Sequence, residues 1–85
     1  DGELDEAIKC YERAAALDPR SPRFESHLAN ALAEKEDFTG AAEHYRRALV
    51  LKPDFAEAHN GLGTVLQEQG DLKGAIAEFE EALRH

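Results

Sequence analysis

Sliding the chain along itself by 34 residues brings 14 of 51 comparable pairs into identity, against about 5 expected from the composition. This period restricts the fold most strongly, because so short a unit cannot bury its own apolar face and must stack on its copies. Pro19 and Pro53 coincide, as do Ala7, Ala41 and Ala75, and the rings of Tyr11, Tyr45 and Phe79 stay in phase. The chain is therefore two and a half copies of one supersecondary unit. A conventional single core would be marginal at 85 residues, and stacking relieves that limit because stability accrues per repeat and per interface.

The unit is helical. In 4–17, Leu4, Ala7, Ile8, Tyr11, Ala14, Ala15 and Leu17 recur at spacings of three and four between charged residues, which predicts an amphipathic helix. Asp18 and Pro19 stop it, and Pro22 suits the first position of a second helix over 22–35. There Leu28, Ala29 and Leu32 form the apolar face, while Ser26, His27, Asn30, Ala33 and Glu34 turn away from it. Asp37 caps a third helix, 38–51, a fourth covers 56–69 with Gly70 as its left-handed terminator, and Asp71 caps a fifth over 72–84. Short connections make neighbouring helices antiparallel. No strand pattern occurs.

Paired small residues at Ala29 and Gly63, alanines at 41, 75, 48 and 82, and proline after the second helix of each pair resemble the tetratricopeptide repeat over the entire chain. The stretches LGTVLQEQGDLKGAIAEFEEAL and LANALAEKEDFTGAAEHYRRALVLKP carry the pattern, and GELDEAIKCYERAAALDP looks like the second helix of a truncated copy. The resemblance implies an all-α fold, with helix-turn-helix repeats stacked as a right-handed α-solenoid. It divides the chain into a partial repeat at 1–21, a complete one at 22–55 and a nearly complete one at 56–85. Physically, Ala29 and Gly63 let helix axes approach, so Gly63→Leu is expected to cost about 1–3 kcal/mol by overpacking. Glu36 stands where Gly70 suggests glycine, so that turn lacks an easy positive φ. Glu25 and His59 occupy a site the family fills with bulky apolar residues, and looser packing is expected there.

No catalytic constellation is present. Ser21 and Ser26 lack a nucleophile turn, Cys10 sits in a helix without an organised base, and the GLG at 61–63 lies inside a helix rather than in a phosphate loop. His27, His44, His59 and His85 show no metal-ligand spacing, so neither metal nor cofactor is expected. One cysteine closes no intrachain disulfide and is compatible with a reducing compartment. The net charge of -8 disfavours nucleic acid and anionic membranes, and there is no apolar run long enough to span a bilayer or serve as a leader. A cytoplasmic location is expected. Because the chain has no methionine and begins inside a repeat, it reads as an excerpt of a longer protein. The pair Glu80 and Arg84, four apart, is expected to interact weakly.

In arrays of the resembled family, the first helix of each pair lines a concave groove that takes a peptide or a partner's helix. Carried onto this sequence, that groove presents Arg23, Ser26, His27, Asn30 and Glu34 from one helix, and Glu57, Asn60, Thr64, Gln67 and Glu68 from the next. The expected function is a noncatalytic scaffold binding a peptide or protein partner. The alternative is a substrate-recruiting arm of a larger enzyme such as a glycosyltransferase, which DFAEAHNGLGTVLQEQGDLKGAIAEFEEAL resembles. A third reading is self-association through uncovered repeat ends, motivated by Leu62, Leu66, Leu72, Ile76 and Phe79 having no following helix to cover them. Asn30 is the only good match to the carboxylate clamp of chaperone-binding members, so that specialised use is disfavoured.

Overall fold

The computed structural model describes residues 2–85, in the order α1 (Gly2–Leu17), α2 (Pro22–Glu34), α3 (Phe38–Leu51), α4 (Ala56–Glu68) and α5 (Leu72–Arg84). Among the described residues there is no strand. Each helix packs against the next and α2 also touches α4, which gives an all-α helical repeat solenoid measuring 33 × 26 × 15 Å.

Local chemistry sets the boundaries. The Ser21 side chain accepts from the Phe24 N–H at 3.3 Å, with Pro22 beginning α2. Asp37 and Asp71 accept from the Gly40 and Gly74 N–H groups at 3.1 and 2.9 Å, each satisfying a donor that the helix start leaves free. Phe55 precedes α4 without a side-chain cap. Gly70 ends α4 with φ +86 as expected, and Glu36 takes φ 65 at the equivalent turn. The turn thus keeps its geometry without glycine, in a conformation that costs an L-residue about 1–2 kcal/mol.

The larger core joins α2 to α5 through Ala29, Ala41, Ala42, Tyr45, Ala48, Ala58, Leu62, Val65, Leu66 and Ala75. A smaller one, Ile8, Leu28 and Ala31, seats α1 on α2, and Leu32 packs against both. The small side chains explain the close approach. A Cβ at Gly63 would stand 2.7 Å from Phe79 Cε1, and one at Gly61 would strike Tyr45 Cζ. Several expectations are corrected by this packing. Leu62 and Leu66 are buried rather than part of an uncovered end, which is formed instead by exposed Leu72, Ile76 and Leu83 beside half-buried Phe79. Ala33 packs against the larger core, and Arg84 pairs with Glu81 at 2.9 Å in place of Glu80.

The largest correction concerns Glu25 and His59. Both are buried, and neither packs loosely. Glu25 meets His44 at 2.8 Å, and His59 meets Glu78 at 2.7 Å. These are equivalent positions one period apart with acid and base exchanged, so each copy closes its helix pair with the same contact in opposite polarity. Because both members of the pair are present, the polar groups fit where an apolar side chain was expected.

Candidate functional site

The α2 and α4 helices lie side by side with an open recess of about 740 Å³ between them. Four of the residues expected in a groove, Asn30, Glu34, Thr64 and Glu68, meet there, joined by Ala33, Glu36, Phe38, Tyr45, Gly61 and Val65. Asn30 and Glu34 also line an adjoining recess of about 430 Å³ toward α1, with His27, Tyr11, Ala31, Leu4, Ala7 and Glu3. The helical spacing of three and four residues places Asn30 and Glu34, and likewise Thr64 and Glu68, on one face of each helix.

The other expected residues fall elsewhere. Glu57 and Asn60 line a third recess, against Phe79, Ala82 and Leu83 of α5, so Asn30 and Asn60 do not share a recess. Arg23 and Gln67 are exposed outside all three. Ser26 is only 2% exposed, which corrects its assignment to an accessible wall. Its partner one period on, Asn60, stays exposed.

Tyr45 ties the recess together. Its hydroxyl donates to Asn30 Oδ1, its ring lies over the side-chain-free Gly61, and burial pushes its pKa up to about 12, so it remains a donor at neutral pH. One period earlier, Tyr11 stacks on His27 at 5.5 Å; one period later, Phe79 has no hydroxyl, and Thr64 turns its own to the Asn60 carbonyl at 3.1 Å. Sequence reasoning placed Tyr45 in the seam and missed its reach to Asn30. The signal was available: tyrosine and asparagine in one copy become phenylalanine and threonine in the next.

The fold also gathers three side chains that spacing did not connect, His59, Glu81 and His85, with ligand atoms within 4.8 Å of one another. His59 Nδ1 donates to Glu78 at 2.7 Å and Nε2 donates to the Pro53 carbonyl at 2.8 Å. Both nitrogens face acceptors, which favours the protonated ring, and in that form His59 offers no lone pair to a metal. Burial alone would lower its pKa, but the bonds to Glu78 and Pro53 and the charges of Glu78 and Glu81 outweigh it, and the net shift is upward. Cys10 is exposed and unpaired with another cysteine. No helix among the described residues is long and apolar enough to cross a membrane.

The fold is similar to that of known proteins. A family model described as TPR repeat matches residues 1–35 and 29–70, and one described as Tetratricopeptide repeat matches 56–85. Among solved structures, the first TPR of Spaghetti (RPAP3) bound to the HSP90 peptide SRMEEVD superposes with a TM-score of 0.94 at 26% identity, covering 98% of this chain and 66% of that one. The second TPR of the same protein, bound to the same peptide, gives 0.92 at 27% identity, covering 96% and 76%. MamA gives 0.90 at 26% identity, and there the chain spans 96% of itself but 48% of the other protein. Helix order, repeat period, packing and family models coincide, and the chain belongs to the tetratricopeptide repeat family, of which it holds about two and a half repeats.

Proposed function

We propose that this chain is a noncatalytic protein-interaction scaffold, with its α2/α4 side as the concave wall on which an extended segment of a peptide or protein partner lies. The observation that carries this reading is the recess between α2 and α4, where Asn30, Glu34, Thr64 and Glu68 surround an apolar floor including Val65 and Phe38. Amide, hydroxyl and carboxylate groups at such a rim can bond a partner's backbone and side chains, while the floor accepts apolar contacts. Two similar domains that hold a peptide support this kind of ligand for the architecture. An acidic chaperone tail fits poorly here, because Ser26 is buried and the recess wall carries glutamates without lysine or arginine.

The test is affinity capture of a partner from native lysate by the 85-residue chain. Thr64→Trp fills the recess from an exposed position and is expected to abolish capture, while Val50→Asp on exposed α3 surface retains it. Loss with Val50→Asp and retention with Thr64→Trp, at equal helicity, would move the site off the α2/α4 side.

A further inference from the structure

The recess between α2 and α4 and the one between α1 and α2 share Asn30 and Glu34 in their linings, which places them side by side as a strip along α2. Its acidic lining residues are Glu3, Glu34, Glu36 and Glu68, and no lysine or arginine lines it. Among the described residues, none of these four carboxylates joins an ion pair. Lys35, between Glu34 and Glu36 in sequence, holds Asp5 at 2.5 Å, and Arg47 on α3 reaches Glu43 at 3.8 Å. Arg46 and Arg47 line a separate hollow formed by α3 alone, and Arg23, exposed on α2, is not among the residues lining the strip. Like charges along a cleft with an apolar floor reinforce one another's field and attract the opposite sign. Tyr11 and Tyr45 add aromatic carbon to that floor, against which the methylene stem of a lysine or arginine packs while its charged head reaches a carboxylate.

We propose that the α2/α4 side selects a cationic occupant, an extended polypeptide segment carrying lysine or arginine at intervals. The proposal rests on the scaffold reading above and adds the sign of the partner's charge. The longest dimension of the molecule is 33 Å. An extended chain rises about 3.3 Å per residue, so the segment in contact is at most about ten residues long.

Fluorescence anisotropy tests this with three labelled peptides of about ten residues, alternating alanine with lysine, with serine or with glutamate. The lysine peptide is expected to bind at least about tenfold tighter than the glutamate peptide, and to weaken several-fold as salt rises from about 0.05 to about 0.2 M. The triple variant Glu34→Gln, Glu36→Gln, Glu68→Gln is expected to lose the preference. Glu12→Gln, Glu43→Gln, Glu80→Gln removes the same charge from other exposed positions and is expected to keep it. Equal binding of all three peptides overturns the charge selection and leaves the scaffold reading standing. A lysine preference that survives the first triple variant places the attraction on the general acidic surface and also overturns it. Binding of no peptide by a helical chain overturns both readings.

Discussion

Asn30 and Tyr45 depend on each other. The tyrosine hydroxyl comes from a residue 3% exposed, and Asn30 is its acceptor at the edge of the recess. Asn30→Ala removes that acceptor at the edge of the open recess and should cost about 0.5–1.5 kcal/mol in urea unfolding. Adding Tyr45→Phe should recover most of that loss, because removing both partners leaves nothing unsatisfied, and Phe79 already occupies the equivalent position one period later. If the double variant is as weak as the single one, the bond is not what Asn30 supplies. This also makes Asn30 a poor choice for a pure binding variant, unlike Thr64, whose hydroxyl bonds only its own helix backbone. At this scale the sequence was partly legible. It marked Asn30, Glu34, Thr64 and Glu68 for a shared wall, and the recess contains them. It misplaced Ser26, because a helical wheel gives a direction but not how far neighbouring helices extend over a small side chain.

Helix pairs are governed by what lies between their axes. Phe79 occupies the space beside Gly63, with Cε1 2.7 Å from where a Cβ would stand, so Gly63→Leu must displace the ring or separate α4 from α5. The expected loss is about 1–3 kcal/mol in thermal or urea denaturation. Unfolding that matches the parent chain would mean the pair does not pack through this glycine. The same two helices carry the His59 and Glu78 contact, and its pH dependence has a definite sign. The folded pKa of His59 lies above the ordinary value, so the contribution is fully present below about pH 6.5 and fades as pH rises through the raised folded value. Glu78→Gln should reduce that decline in a pH series of denaturation midpoints, and an unchanged slope would show that the contact is not its source. The swapped Glu25 and His44 pair explains why sequence pattern alone expected loose packing here. Each residue looks out of place on its own helix, and only the facing helix supplies its hydrogen-bond partner.

For the whole molecule, period and fold are closely linked. Helix existence, order and near-exact limits follow from Pro19, Pro53, the aspartate caps and the alanine positions, because a repeated unit states each local rule more than once. The extent of cover at the last helix was less legible. Leu62 and Leu66 are internal to the α4/α5 pair, and the exposed apolar surface lies one layer further out, at Leu72, Ile76 and Leu83. The central claim is that the α2/α4 side holds another polypeptide, and site-specific photo-crosslinking tests it most directly. A crosslinker replacing Thr64 in the recess should give partner adducts, whereas one replacing Val50 on α3 should give none. Adducts from the Val50 position and none from the Thr64 position would contradict the claim.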